Sequence, residues 1–242
     1  MKAVVMAGGL ATRLRPMTTA TNKHMLRVYD RPMIQRNIET LVASGITEIL
    51  VLLSNSFAQP VMQLLENGRA YGANILYGYY ADGTGVAKHM RVARKFIGDE
   101  PFMLYLGDSF YMCTLDPTVS PVPHMWVMPL DETDDFRKYA EVVIEEGSGK
   151  VLDIIEKPQI QKSGLVQTGA WIFTPDVFDL AEHLVHTSEK EVQVRTVVAE
   201  YVRQGRMHAT MLPPGSFLDL GTPEALFRAQ QIAREHVLRG TP

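Results

Sequence analysis

Residues 2–18 read KAVVMAGGLATRLRPMT, an apolar segment that leads directly into two glycines and then an arginine. The apolar part, 2–6, predicts a buried β-strand, and the glycines allow a tight turn in which backbone N–H groups point inward. Arg13 offers a planar set of donors to phosphate oxygens, and Lys23 offers a movable positive charge. The segment therefore predicts a polyphosphate-binding loop after the first strand.

The spacing of this loop differs from that of two better-known phosphate motifs. A Walker loop requires GxxxxGK[ST], and a dinucleotide-binding turn requires GxGxxG at the start of a helix. Here Pro16 interrupts any helix three residues after Arg13. The short motif by itself leaves open a second interpretation, a glycine turn with two surface cations.

Composition and charge limit the classes of protein. With 242 residues, of which 46% are hydrophobic and 21% charged, the chain is long enough for one large α/β domain with its own core. A net charge of −3 gives no general attraction to nucleic acid or to anionic membranes. The single cysteine, Cys113, excludes an internal disulfide. Without a signal peptide or a long apolar run, a soluble cytoplasmic protein is predicted.

Strand and helix patterns alternate through the first half of the chain. Apolar residues at helical spacing precede Gly45, Gly68 and Gly98, which predicts three helices with glycine at or near their ends. The predicted order β-α-β-α-β-α-β is typical of an α/β fold with a mainly parallel, doubly wound sheet, and a mixed C-terminal extension follows. The predicted strands are 2–6, 48–53, 75–79, 102–106, 124–130, 139–145, 150–155, 169–173 and 207–212, and a last helix is predicted from Pro223 behind Thr222 as N-cap.

The longer segment 8–34, GGLATRLRPMTTATNKHMLRVYDRPMI, resembles the signature of the sugar-1-phosphate nucleotidyltransferases, in particular the glucose-1-phosphate thymidylyltransferase branch. The resemblance implies a Rossmann-like enzyme of nucleotide-sugar biosynthesis that joins an NTP and a sugar 1-phosphate to give an NDP-sugar and pyrophosphate with Mg²⁺. It also implies one domain, 1–242, with a nucleotide-binding half, 1–115, and a sugar-phosphate-binding half, 116–242. Further matching motifs are LGDSF (106–110), IIEKP (154–158), TGAWIF (168–173) and FLDLGTPEAL (217–226).

Two aspartates are the predicted metal ligands. Asp108 and Asp219 both lie beside glycine, and Mg²⁺ usually takes one or two carboxylates together with phosphate oxygens and water. A turn-capping aspartate after a strand is the other interpretation of Asp108. The resemblance implies that Arg13, Lys23 and Asp108 are catalytic. The predicted nucleotide site is Gly8, Gly9, Leu10, Ala11, Thr12, Arg13, Lys23, Tyr80, Gly85 and Asp108.

The resemblance also implies a separate site for the phosphorylated sugar. Lys157 would bind its phosphate and Glu156 a hydroxyl, although a solvated Glu-Lys pair before a proline is the simpler interpretation of these two residues alone. Because the acceptor phosphate is already an anion, the reaction needs positioning and charge neutralisation rather than a general base. The predicted sugar-phosphate site is Tyr139, Ala140, Glu156, Lys157, Thr168, Gly169 and Glu191.

The chain departs from the family pattern at recognition positions. Ala11 replaces a glycine, which is compatible with the usual loop only if the backbone there is ordinary. Tyr80 replaces a glutamine that reads the pyrimidine, so looser base selection is predicted. Two alternatives stay open: a cytidylyl- or guanylyltransferase acting on a non-hexose phosphate, and a non-catalytic nucleotide-sugar-binding regulator. A homo-oligomer is expected, and no nucleic-acid or membrane partner. Further departures are Arg27, Ser109, Ala140 and Phe217.

Overall fold

The computed structural model describes residues 1–9, 11–54, 57–80, 86–119, 121–131, 135–187 and 192–238. The chain divides into two compact units whose segments alternate along the sequence. The first unit comprises 2–83, 105–115 and 218–242, and the second comprises Met1, 84–104 and 116–217. The expected single domain with halves 1–115 and 116–242 stays a prediction.

The helices and strands follow the predicted order through the first half of the chain. The strands are β1 (Lys2–Met6), β2 (Arg27–Val28), β3 (Arg31–Pro32), β4 (Glu48–Ser54), β5 (Asn74–Tyr80), β6 (Phe102–Leu106), β7 (Ser109–Tyr111), β8 (His124–Pro129), β9 (Ala140–Ile144), β10 (Val151–Glu156), β11 (Leu165–Phe173), β12 (His208–Met211) and β13 (Phe217–Asp219). The α-helices are α1 (Met33–Ala43), α2 (Ala58–Leu65), α3 (Val86–Ile97), α4 (Asp176–Thr187), α5 (Val194–Arg203) and α6 (Pro223–Leu238).

The centre of the first unit is a parallel sheet in the order β1-β4-β5. Lys2 pairs with Glu48, and Glu48 pairs with Asn74, so the three strands start level with one another. The branched and apolar residues of β1 and β4 are buried from water, which stabilises the sheet through the hydrophobic effect. This arrangement confirms the α/β prediction and brings the ends of the parallel strands to one edge, where the phosphate loop follows β1.

Helix α1 ends as its sequence predicts. Gly45, in the left-handed conformation with φ 80°, donates its N–H to the carbonyl of Val42 at 2.9 Å, and Ile46 donates to Leu41 at 2.9 Å. Only glycine adopts this conformation without steric cost, so it closes the helix efficiently. The chain is thereby turned back into β4.

The C-terminal helix packs against the two-stranded sheet that β7 and β13 form. Thr222 caps the helix, since its hydroxyl oxygen accepts the N–H of Ala225 at 3.3 Å, and Pro223 is the first helical residue, as predicted. Burial of this cluster fixes the strand that ends at Asp219. The buried members of the cluster are Val28, Met33, Phe110, Leu218, Leu220, Leu226, Ala229 and Ala233.

The second unit contains the mixed extension that the sequence predicts. Strands β10, β9 and β11 are neighbours in that order and pair antiparallel. On the other side of β11 lies β8, also antiparallel, and β12 pairs with β8 in parallel. Helices α4 and α5 of this unit were not predicted, although each buries apolar residues at helical spacing, such as Val177, Phe178 and Ala181 in α4.

Within the part of the chain that the structure describes, no helix is both long enough and apolar enough to cross a membrane.

Candidate active site

The turn after β1 is shaped by its glycines and by one tyrosine. Gly9 has φ 104°, a conformation that side-chain-bearing residues rarely adopt. A Cβ atom at Gly8 would overlap the hydroxyl of Tyr80 and lie 3.0 Å from the backbone nitrogen of Ser54. Tyr80, at the end of β5, therefore lies directly against the predicted phosphate loop. Leu10 lies outside the described residues.

Ala11 is in the left-handed region, with φ 45° and ψ 44°. This conformation costs an alanine roughly 1–2 kcal/mol relative to an ordinary backbone. Its carbonyl oxygen accepts the N–H of Leu14 at 3.0 Å and the hydroxyl of Thr18 at 3.0 Å, which offsets the strain. Residue 11 thus lacks the ordinary backbone on which the prediction depended, and hydrogen bonds hold alanine in a left-handed turn.

An ion pair joins two of the predicted catalytic residues. The ammonium of Lys23 lies 2.7 Å from Oδ2 of Asp108, and the side chain of Asp108 is only 19% exposed. Burial by itself would raise the pKa of Asp108, but the charge of Lys23 and its hydrogen bond outweigh burial and lower that pKa to about 2. Asp108 is consequently ionised at every physiological pH.

Asp219 reaches the same place from the C-terminal part of the chain. Leu220 donates its N–H to the backbone carbonyl of Asp108 at 2.9 Å, and Oδ1 of Asp219 accepts the N–H of Gly221 at 2.8 Å. Burial and then the negative charge of Asp108 raise the pKa of the Asp219 carboxyl, against the opposing effects of Gly221, Arg13 and Lys23. The two aspartates are therefore close enough to repel each other.

Arg13 lies against Gly221, on the side where Asp219 also approaches it. A Cβ atom at Gly221 would lie 2.6 Å from Nη2 of Arg13 and 2.9 Å from Oδ1 of Asp219. A side chain at residue 221 would displace the end of the Arg13 side chain from this position. The first unit thus brings together the side chains of Arg13, Lys23, Asp108 and Asp219, which are far apart in sequence.

The paired aspartates fit a magnesium ion. Carboxylate oxygens are the hard donors that Mg²⁺ prefers, and a cation between Asp108 and Asp219 would relieve their repulsion. Across the described residues no group of three or more His, Cys, Asp or Glu side chains is arranged to hold a metal. An ion bound by these two carboxylates would therefore complete its coordination with phosphate oxygens and water.

A buried polar network, which sequence reasoning missed, supports the ion pair. The side-chain amide of Asn22 donates to the carbonyl of Ala7 at 3.3 Å, and its oxygen accepts from Nδ1 of His24 at 2.7 Å. The amide of Asn37 donates to the carbonyl of Gly107 at 2.6 Å. These contacts join the segments on either side of Lys23 and Asp108. A short amide side chain just before a lysine is the only sequence signal, and it is a weak one.

His24 is fully buried and neutral. Burial, with the positive charge of Lys23, lowers the pKa of His24 to about 3, against the opposing charge of Asp108. Because the oxygen of Asn22 can only accept, Nδ1 carries the proton. The ring packs against Gly107, where a Cβ atom would lie 2.6 Å from Nε2.

The predicted sugar-phosphate residues lie in the second unit on neighbouring strands. Glu156 ends β10 and pairs with Ala140 at the start of β9. Lys157 follows with φ 46° and an exposed side chain. In β11, the hydroxyl of Thr168 donates to the carbonyl of Trp126 at 2.8 Å, so this hydroxyl stabilises the sheet. Tyr139 directly precedes β9, and Gly169 follows Thr168 in β11. Gly85 and Glu191 lie outside the described residues.

Comparison with known proteins gives the class of this protein. A family model described as nucleotidyl transferase matches residues 2–236. A glucose-1-phosphate thymidylyltransferase from Actinoplanes sp. is 30% identical over 97% of this chain and 78% of its own length. The low-salt glycan biosynthesis nucleotidyltransferase Agl11 of Haloferax volcanii is 29% identical over 97% of this chain, which spans 66% of that protein.

The fold is shared as well. A Bacillus anthracis protein assigned as a glucose-1-phosphate thymidylyltransferase and solved with sucrose superposes with a TM-score of 0.83 at 26% identity, over 97% of this chain and 96% of its own. The chain therefore belongs to the nucleotidyl transferase family. The predicted sugar-phosphate nucleotidyltransferase class and its Rossmann-like fold are confirmed.

Proposed function

We propose that this chain transfers a nucleotidyl group from an NTP to the phosphate of a sugar 1-phosphate and releases pyrophosphate in a Mg²⁺-dependent reaction. The observation that carries the proposal is the meeting of Arg13, Lys23, Asp108 and Asp219 in the first unit. Two cations and two carboxylates near a glycine turn suit a triphosphate better than they suit a neutral ligand.

The chemistry follows from the charge of the reactants. An oxygen of the acceptor phosphate attacks the α-phosphorus of the NTP, a new P–O bond forms, and the bond to pyrophosphate breaks. No proton has to be removed from the nucleophile, so the enzyme contributes alignment and charge neutralisation. Arg13 would bind phosphate oxygens with its guanidinium. Lys23 donates one hydrogen bond to Asp108, and its other ammonium N–H groups would donate to phosphate oxygens.

The metal would be held by Asp108 and Asp219. When bound, Mg²⁺ would neutralise phosphate charge and fix the geometry of the triphosphate. Asp108 suits this role because its pKa of about 2 keeps it anionic. The proximity of Asp219 supports the same site, since Leu220 beside it donates its N–H to the backbone carbonyl of Asp108 at 2.9 Å.

The substrates are proposed from the relatives and from this chain's own residues. Glucose 1-phosphate and dTTP are the first pair to test, because the Actinoplanes protein carries the name glucose-1-phosphate thymidylyltransferase. Lys157 would bind the acceptor phosphate and Glu156 a hydroxyl. Tyr80 lies against Gly8 and offers an aromatic face rather than an amide, so base selection should be loose. The homo-oligomer and the cytoplasmic location stay predictions.

A matrix of NTPs against sugar 1-phosphates, followed by coupled pyrophosphate release with and without EDTA, tests the proposal. We expect turnover with at least one pair, abolished by EDTA and by Asp108→Asn. Glu235→Gln, an exposed change in α6, is the matched control and should leave turnover intact. If the chain binds an NTP but releases no pyrophosphate with any pair, it would be a non-catalytic nucleotide-sugar-binding regulator. If it turns over only CTP or GTP with a non-hexose phosphate, it would be a cytidylyl- or guanylyltransferase.

A further inference from the structure

A buried glutamate holds the connection between two strands of the second unit. Glu141 lies on β9 and is 2% exposed. Its Oε1 accepts the backbone N–H groups of Lys162 at 2.7 Å, Ser163 at 2.6 Å and Gly164 at 3.0 Å. These three residues end the connection 157–164, which leads from β10 to β11. One carboxylate therefore fixes the far end of that connection.

The negative charge of Glu141 strengthens this hold. Burial by itself would raise the pKa of Glu141, but the backbone N–H groups of Ser163, Gly164 and Lys162 outweigh burial and lower that pKa. The carboxylate is therefore ionised at neutral pH, and hydrogen bonds to an ionised acceptor are stronger than those to a neutral one. The second oxygen, Oε2, is buried and has no hydrogen-bond partner among the described residues.

The near end of the same connection carries Lys157. Glu156 ends β10 and pairs with Ala140, the residue before Glu141 on β9. Lys157 follows in the left-handed region with φ 46°. A residue with a side chain keeps this conformation only when the surrounding structure holds it there. The position of the Lys157 side chain therefore depends on what fixes the two ends of the connection.

Apolar packing does little to fix the rest of the connection. Pro158 is buried, but the side chains of 159–163 are exposed. Hydrogen bonds restrain the far end instead, and the hydroxyl of Ser163 adds one by donating to the carbonyl of Val142 at 2.7 Å. Among these contacts Glu141 supplies the charged acceptor, so its loss should loosen the connection most.

We propose that Glu141 is a positioning residue for the transfer reaction: by fixing the connection between β10 and β11, it holds Lys157 where the acceptor phosphate binds. The proposal rests on the proposed function, which assigns that phosphate to Lys157. Glu141 acts through Lys157 and does not itself contact the substrate. Sequence reasoning did not single out Glu141, because a glutamate in a strand is ordinarily a solvated residue.

The test is a double-mutant cycle between Glu141 and Lys157. Glu141→Gln keeps the shape and one acceptor oxygen but removes the charge, and Glu141→Met removes the acceptor as well. We expect the KM for the preferred sugar 1-phosphate to rise by about 2- to 10-fold in Glu141→Gln and further in Glu141→Met, with kcat and the KM for the NTP unchanged. In a Lys157→Ala background the same substitutions should leave the acceptor KM unchanged, because the group that Glu141 holds is absent.

Amide hydrogen exchange tests the same contacts without turnover. The backbone N–H groups of 162–164 should exchange faster in Glu141→Gln than in the unmodified chain, whereas those of α5 should not change. Glu145→Gln is the matched control, an exposed glutamate directly after β9 whose carboxylate accepts the hydroxyl of Ser148 at 2.6 Å. It should alter neither the exchange at 162–164 nor any KM.

The outcomes separate this proposal from the proposed function. If the acceptor KM rises by the same factor with and without Lys157, or if kcat and the KM for the NTP change with it, Glu141 does not act through Lys157 and the proposed function stands. Unchanged exchange at 162–164, or an unchanged acceptor KM, overturns the proposal in the same way. If Glu141→Met does not fold, Glu141→Gln decides the cycle. If the unmodified chain releases no pyrophosphate with any NTP and sugar 1-phosphate, both proposals are overturned.

Discussion

Lys23 and Asp108 are 85 positions apart in the sequence, and their side chains meet at 2.7 Å. The pair is shielded from water on most sides, with 15% of the lysine side chain and 19% of the aspartate side chain exposed. A contact of this kind links the phosphate loop to the strand end that carries the candidate metal ligand. Loss of this ion pair should lower the stability of the protein measurably even when no substrate is bound.

We expect Lys23→Met to lower the free energy of unfolding by ~1.5–3 kcal/mol, because Asp108 would be left partly buried without its charged partner. Urea denaturation at neutral pH measures the change. Arg203→Met is the matched control, since it removes an ion pair with Glu200 in which the arginine is 75% exposed, and it should cost under about 1 kcal/mol. Equal losses for both variants would show that the Lys23 pair contributes no more than a surface pair.

Substitution of Lys157 and substitution of Arg13 should change different kinetic constants. Lys157→Ala is expected to raise the KM for the sugar phosphate by roughly 10- to 150-fold with little change in the KM for the NTP, because only the acceptor phosphate would lose a charged donor. Arg13→Ala should impair NTP use and kcat together. Steady-state kinetics with each substrate varied in turn measures both. If Lys157→Ala left kcat/KM for the acceptor unchanged, Lys157 would not bind the acceptor, and residues 156–158 would be a solvated turn.

Ala11→Gly should stabilise the protein by ~1 kcal/mol. The glycine removes the strain of φ 45°, and the greater freedom of glycine in the unfolded chain offsets part of that gain. Ala43→Gly, at the end of α1, is the matched control and should destabilise the protein by a similar amount. Thermal unfolding measures the change in Tm of each variant. If both glycine variants changed Tm in the same direction, residue 11 would not be strained.

His24 should make the protein sensitive to mild acid. Its folded-state pKa of about 3 lies below the ordinary value near 6.5, so the neutral ring stabilises the fold above pH 6.5 and that contribution is lost as the pH falls toward 3. Lys23 and Asp108 are the charged groups that act on the ring. Between pH 6 and 4, the free energy of unfolding should fall with decreasing pH in both proteins. The slope for the unmodified chain should exceed that for His24→Gln by up to about 1.4 kcal/mol per pH unit.

Urea titrations at a series of pH values measure this slope. Parallel curves for the two proteins would show that His24 takes up no proton on unfolding. His186→Gln, near the end of α4 and outside this network, is a suitable control and should follow the unmodified chain.

The order of helices and strands could be predicted from the sequence because its signals are local. Alternation of apolar segments with glycine-ended helical patterns predicted the parallel strands β1, β4 and β5, and Thr222-Pro223 predicted the start of α6. The motifs also indicated the family and the candidate residues. Helices α4 and α5 were missed although the same kinds of signal are present, since Thr174-Pro175-Asp176 begins α4 as Thr222-Pro223-Glu224 begins α6, and Gly205 with φ 67° follows α5.

Tertiary structure alone decided how those residues meet. The proximity of Asp219 to Asp108 depends on the pairing of β13 with β7, and the support of Lys23 depends on buried amides at Asn22 and Asn37. Local residue patterns determine which elements form and which chemistry the chain carries, whereas distances, burial and charge coupling arise only when remote segments pack.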